Sequence, residues 1–427
     1  MNDSMSSMAE CLVRWGATIL VAVALIVRCK IYLKRTDSSQ RHVIVDIGTC
    51  KKIFDCKKYL DDILTNQLTP SASRAIPNQR LVKAFNIYNG FTSQDPALGK
   101  RFKADASEKI NISDDAWSKI AHISQTLVHQ QISGADTHGD AIFLNRLAQS
   151  ITLKISLSVL YGLEPSTLNS TAIAHIAEGI DARWRASKIP GSHCPISLVS
   201  LNQSLQTIFP ALEIKEGREN PLNFILPAYE TMWRAVLLGT ISIAFPDERM
   251  SHPSNYSTVL VQYLQSPNKH TFEQIHPSEG GISVAHIAQE ILRLFPPTKR
   301  VYRRYHFPNE EPQLLAADIE ACHHDKTIWG DDAQTFKPER WRSIDEKTKE
   351  SYMPFGAGKY ACPARVEFAP MMVGLLVAAF VGQLTEAQRE ISKECTENRG
   401  RGKTEEDKGV KLVNRRGMAN FIVRRKQ

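Results

Sequence analysis

Seventeen consecutive uncharged residues, Phe368 to Leu384 (FAPMMVGLLVAAFVGQL), begin six positions after Cys362. A helix that is apolar on every side must be buried among other elements or lie in a membrane. This run follows PFGAGKYACPA, Pro354 to Ala364, the densest cluster of special residues in the chain. That context favours a buried core helix over a membrane span. Such a helix needs partners on all sides, and the chain can supply them. It has 427 residues, 42% hydrophobic and 23% charged, which excludes a disordered or a polytopic membrane protein.

Fifty-three Lys and Arg against 45 Asp and Glu give a net charge of +8. The excess is spread along the chain, without the basic stripe of a nucleic-acid binder. It suits an acidic protein partner or an anionic membrane surface. The eight cysteines (Cys11, Cys29, Cys50, Cys56, Cys194, Cys322, Cys362 and Cys395) are scattered and form no CxxC pair. A disulfide framework and a zinc ribbon are both excluded.

A second apolar run, Trp15 to Val27, lies near the amino terminus. Extended back to Cys11 it would span about 26 Å as a helix, with Arg14 and Arg28 able to snorkel at its ends. No small-x-small cleavage site follows, which argues against a signal peptide. Arg28, Lys30, Lys34 and Arg35 outweigh Arg14, which places the body on the cytosolic side. Residues 1–35 therefore read as a single transmembrane anchor and 36–427 as one catalytic domain. The expected location is a membrane, with the body on its cytosolic face.

Along the body, residues 36 to 110 mix short apolar runs with turn signals such as Asp95-Pro96. Residues 114 to 165 read as helical and 186 to 222 as irregular. Helices are expected at about 221 to 245 and 282 to 295. Strands are expected within Thr298 to Phe307 and Ala419 to Arg425. The charged stretch from Glu386 to Lys408 reads as a solvated loop. The fold class is mainly α with minor β.

Three segments carry chemistry. In PFGAGKYACPA, Gly356 and Gly358 permit a tight turn ahead of Cys362, and an apolar helix follows. A thiolate at a helix N-terminus is stabilised by free amides and the helix dipole. The bland alternative is a buried structural cysteine. In ISVAHIAQEILRLF, Glu290 and Arg293 lie three apart on one helix face, among Ile287, Ile291 and Leu294. The bland alternative there is a surface pair. In WGDDAQTFKPERW, Arg340 could complete a Glu–Arg–Arg cluster. Cys322, His323, His324 and Asp325 are also candidate metal ligands, although adjacent residues rarely converge on one ion.

Taken in order, these segments resemble the cytochrome P-450 superfamily. Glu290-Ile-Leu-Arg293 with Pro296-Pro297 is similar to the family's ExxR helix. His323 to Trp341 is similar to the segment leading into its PER motif. Phe355-x-x-Gly358 with Cys362 is similar to its haem-binding loop. The separations agree too: 362 − 340 = 22 and 362 − 290 = 72 residues.

The resemblance implies a helical haem-binding domain with small sheets. It implies haem b with Cys362 as the axial thiolate to iron, and Phe355 and Gly358 in the loop around it. Glu290, Arg293 and Arg340 would form a structural cluster. Pro227-Ala-Tyr-Glu230-Thr231 resembles the distal acid–alcohol pair, which would make Glu230 and Thr231 the catalytic proton-handling residues; the bland alternative is that Glu230 pairs with Arg234 at i,i+4. Pro227 would free a backbone carbonyl for water. Trp117 and Arg303 resemble the residues that hold the haem propionates. Implied partners are an NADPH-cytochrome reductase, the membrane and a small lipophilic substrate, with no nucleic acid.

The implied reaction is a monooxygenation: hydroxylation, epoxidation or desaturation of a terpenoid, polyketide or alkaloid. The motif style is similar to short fungal members of secondary metabolism. Two other readings remain: a haem-thiolate isomerase or dehydratase, and a non-catalytic truncated haem binder. Departures from the family pattern are Tyr360 two before the cysteine, Ala364 two after it and Ala121 four after Trp117. Trp117 to Thr231 spans 231 − 117 = 114 residues, short for a membrane-bound member.

Overall fold

The computed structural model describes residues 41–56, 66–138, 141–211, 217–246, 253–309, 311–386, 389–393 and 421–425. The amino-terminal run assigned as an anchor lies outside the described residues. In chain order, the helices that build the site are α1 (Ile47–Phe54), α2 (Pro70–Ala75), α3 (Asp114–His138), α4 (Leu144–Tyr161) and α5 (Ser170–Ala186). They continue with α6 (Leu198–Ile208), α7 (Leu222–Ala244), α8 (Pro253–Tyr263), α9 (Val284–Leu294), α10 (Ile319–His323) and α11 (Phe368–Glu386).

The uncharged run is α11, and it is the central helix. It packs against α3, α7, α8 and α9 together, which is why no side of it carries a charge. Met371, Met372, Leu375, Leu376, Val377 and Phe380 are fully buried. Each is worth about 1.5–3 kcal/mol of burial. Its composition and length would also suit a membrane span, but the helix is spent on the core. Close packing depends on two glycines. A Cβ at Gly239 of α7 would lie 2.6 Å from Ile291 of α9, and one at Gly374 of α11 would lie 2.8 Å from Val284.

Two small sheets flank the helices. In the first, β1 (Arg41–Ile44) runs parallel to β4 (Gln313–Asp318), which pairs antiparallel with β3 (Arg300–Tyr305). The second is antiparallel, with β6 (Phe421–Arg425) between β2 (Ile142–Phe143) and β5 (Arg389–Lys393). The expected strands near 300 and 421 are present. β5 lies in the charged stretch read as loop, held by backbone pairing to β6 that its charges do not disturb.

Other local expectations need correction. Asp95-Pro96, read as a turn, starts the helix Pro96–Lys109. Asp95 accepts the Ala97 amide at 2.8 Å and Pro96 takes the first helical position, where its missing N–H is no loss. The region 186 to 222, read as irregular, contains α6, which Ser197 caps by accepting the Ser200 amide. α7 keeps its course through Pro227. The carbonyl that proline frees, at Asn223, accepts the Asn89 side-chain amide at 3.3 Å. A protein group thus uses the acceptor that was expected to bind water.

Candidate active site

Glu290 and Arg293 both lie on α9 and both are fully buried. Arg293 binds the carboxylate in a two-pronged contact, Nε to Oε2 and Nη2 to Oε1, each at 2.8 Å. Arg340 joins through Nε to Oε1 at 2.9 Å. The Lys337 amide and the Trp341 indole N–H complete the acceptor shell at 3.0 and 2.9 Å. Arg293 spends its remaining donors on the His323, Ala333 and Thr335 carbonyls. A buried ion pair is tolerated only when its other donors and acceptors are met, and here they are. The Glu–Arg–Arg cluster is formed, and the surface-pair alternative is not what the structure contains.

His323 ties this cluster to the cysteine loop. Its Nδ1 lies 3.0 Å from the Arg293 carbonyl and its Nε2 accepts the Met353 amide at 2.9 Å. Accepting at Nε2 requires the proton on Nδ1, so the ring is neutral. Complete burial drives its pKa down to about 3. His323 opens the segment that resembles the approach to the PER motif, but that resemblance gives it no role of its own. Only the fold brings it to Met353; as a candidate ligand it stood with Cys322, His324 and Asp325. That metal site is not formed. His324 bonds the Leu294 carbonyl and Cys322 the Val45 carbonyl. Among the described residues no His, Cys, Asp and Glu group could hold an ion.

In the loop, Gly356 and Gly358 adopt φ +70° and +66°, a region that favours glycine. The turn returns the Cys362 amide to the Phe355 carbonyl at 3.0 Å. Cys362 is half-buried and opens a short 3₁₀ turn, Pro363–Arg365, so α11 starts six residues beyond it. The expected helix N-terminus is thus a single amide, that of Ala364. Burial raises the Cys362 pKa, opposed by the Ala364 amide and by Arg365, Lys103 and Arg74.

Arg303, on β3, is buried. It donates to the Cys56 sulfur at 3.2 Å and to the Phe54 carbonyl at 3.3 Å. Its guanidinium is 5.8 Å from the Tyr360 ring, and that of Arg74, on α2, is 4.9 Å from the same ring. Tyr360 therefore has both guanidiniums within 5.8 Å of its ring. Neither has a carboxylate within ion-pair distance among the described residues. Burial, and then Arg303, pull the Arg74 pKa down to about 10. Sequence reading missed Arg74, which carries no motif around it.

Trp117, on α3, is buried with its ring 5.8 Å from that of Phe368. An apolar recess between α4, α7 and α11 adjoins this pair, lined by Val159, Leu160, Ala228, Met232, Phe368 and Met372. Glu230 and Thr231 lie on α7 beside it. Glu230 is fully buried and pairs with Arg234 at 2.6 Å, while the Trp233 indole donates to its other oxygen at 3.2 Å. Arg234 also reaches the Pro297 carbonyl at 3.0 Å. The Thr231 hydroxyl donates to the Pro227 carbonyl at 2.9 Å. The two residues are neighbours, but Glu230 is engaged with Arg234 rather than with Thr231.

Residues 285–398 match the family described as Cytochrome P450. The chain is 39% identical over 88 residues to the putative cytochrome P450 CYP13A7 of Caenorhabditis elegans, covering 18% of this chain and 17% of that protein. It is 34% identical over 113 residues to cytochrome P450 714A2 of Arabidopsis thaliana, covering 24% and 21%. These matches span about a fifth or less of the relatives' length. Among solved structures, it resembles CYP102L1 with a TM-score of 0.52 at 14% identity, over 90% of this chain and 92% of that one. It resembles CYP175A1 of Thermus thermophilus with a TM-score of 0.53 at 14% identity, over 80% and 81%. Local sequence likeness over residues 285–398 and a shared fold across the described helices both point to the cytochrome P450 family.

Proposed function

We propose that this chain is a haem-thiolate monooxygenase acting on a small lipophilic substrate. The observation that carries this reading is the tie from the Glu290–Arg293–Arg340 cluster, through His323 and Met353, to the loop of Cys362. Such a tie holds a sulfur in place against a large ligand. The residues fit haem b. Cys362 offers a sulfur with one amide donor and nearby cations. Arg74 and Arg303 are cations without carboxylate partners among the described residues, as two propionates require. Trp117 lies beside Phe368, the first residue of α11.

When bound, the haem supplies oxygen activation, which a thiolate ligand favours. The chain's own residues do the rest. Phe355 and Gly358 shape the turn from which the sulfur emerges. Met232, Ala228 and Phe368 keep the recess beside α7 apolar and dry. The Thr231 hydroxyl and the Glu230 carboxylate handle protons on that side, which requires the Arg234 contact to open.

Electrons would come from an NADPH-cytochrome reductase docked on the face where Lys103, Lys359 and Arg365 surround Cys362. The amino-terminal run would hold the body at the endoplasmic reticulum membrane. Terpenoids, polyketides and alkaloids are the proposed substrate classes.

The test is the spectrum of the reduced carbon monoxide complex, with Cys362→Ser as control. A thiolate-type Soret band in the parent and none in the variant is expected. Its absence in both removes the reading. One observation favours a second reading, a haem-thiolate isomerase or dehydratase: Glu230 is closed off by Arg234. Product formation from a hydroperoxide alone, without reductase or oxygen, would select that reading.

A further inference from the structure

Three residues far from every motif join the two halves of the site. Phe54 ends α1, Asp55 caps it, and Cys56 turns the chain at φ +54°. A positive φ is disfavoured at a residue with a side chain. Here it accompanies three contacts. The Phe54 carbonyl and the Cys56 sulfur both accept from Arg303, at 3.3 and 3.2 Å. The Asp55 carboxylate accepts the Lys359 amide at 2.9 Å, three residues before Cys362.

The same carboxylate occupies the space that a Cβ at position 358 would need. Gly358 is thus required twice, by its φ of +66° and by Asp55. α1 is fastened nearby as well. Lys51 pairs with Glu350 at 3.0 Å, and the buried Cys50 thiol lies 3.9 Å from that of Cys322, next to His323.

We propose that Asp55 is a positioning residue for the loop that carries Cys362. Its carboxylate holds the Lys359 amide and excludes any side chain at 358. The turn that presents the sulfur is thereby set from outside the loop, by the helix at the start of the described chain. The assignment of Asp55 stands on geometry, and only its meaning for haem rests on the proposed function.

The test uses Asp55→Ala and Asp55→Asn in the full chain. Hydrogen exchange of peptides covering 355–362 is measured on the protein as purified. Exchange should quicken about tenfold in Asp55→Ala, the factor expected for losing a hydrogen bond to a charged group. Asp55→Asn should stay near the parent, because its side-chain oxygen still accepts. Unchanged exchange in Asp55→Ala overturns the proposal.

If Asp55→Ala does not fold, Gly358→Ala is compared in the parent and in an Asp55→Ser background, whose shorter polar side chain leaves more room at 358. Its effect on exchange should be at least about threefold smaller in that background. An equal effect overturns the proposal. In the haem-loaded protein, Asp55→Ala should lose the thiolate band at a higher pH than the parent as acid is added. A faster-exchanging loop in a chain that never shows a thiolate band leaves Asp55 in place and strikes only the haem reading.

Discussion

The imidazole of His323 accepts the backbone amide of Met353 at 2.9 Å, coupling a buried ion-pair cluster to the loop of Cys362. Its folded pKa of about 3 lies below the ordinary value of 6.5. The folded state therefore binds fewer protons than the unfolded state between those values. The stability this ring contributes is full above about pH 6.5 and is lost as pH falls toward 3. The loss should approach 1.4 kcal/mol per pH unit for one proton. Denaturant unfolding of the parent and His323→Gln from pH 7 to 4.5 checks it, and the variant should show the shallower slope.

Glu290→Ala should abolish cofactor retention rather than slow turnover. It leaves Arg293 buried without a counter-charge, a loss of about 3–5 kcal/mol. Circular dichroism and the ratio of haem to protein measure the outcome. A stable, haem-loaded Glu290→Ala would contradict the role assigned to the cluster.

Arg234→Ala should destabilise by about 3 kcal/mol, because Glu230 is fully buried and would lose its Arg234 counter-charge. Adding Glu230→Gln should recover part of that loss. A double-mutant cycle in urea gives the coupling, and additive effects would show that the two side chains do not act as a pair.

Thr231→Ala removes a hydroxyl already bonded within its own helix to Pro227. Stability should change by less than about 1 kcal/mol. If Thr231 handles protons as proposed, more reductase equivalents should leave as peroxide, seen by comparing NADPH consumed with product formed. Unchanged coupling removes Thr231 from the reaction.

Gly239→Ala should cost about 1–3 kcal/mol by overpacking, since its Cβ would press on Ile291. Ile291→Val in the same chain should return part of it. Thermal unfolding of the three variants measures both effects.

Much of the helical frame was legible because it rests on local patterns. α9 follows from amphipathic spacing and ends at Pro296-Pro297. α11 follows from a charge-free run. Gly356 and Gly358 stand where the backbone needs φ above zero. The family motifs also placed Glu290, Arg293 and Arg340 in one cluster, since the ion pair depends on spacing along α9 and on one partner from a recognisable segment. Where short-range signals conflicted, reading failed. Asp95-Pro96 serves a turn and a helix start equally well, and only the chain that follows decides between them.

By itself the sequence determined a largely helical chain, the cysteine loop and the ion-pair cluster, because each is specified within a few tens of residues. Tertiary structure decided what those parts touch. It brought His323 to Met353, gathered Arg74 and Arg303 at Tyr360, and set Asp55 against a loop 304 residues away. It also gave the Asn223 carbonyl to Asn89. These contacts join segments whose spacing carries no periodic signal. They arise because buried donors, acceptors and charges must find partners wherever the packing of the helices leaves them.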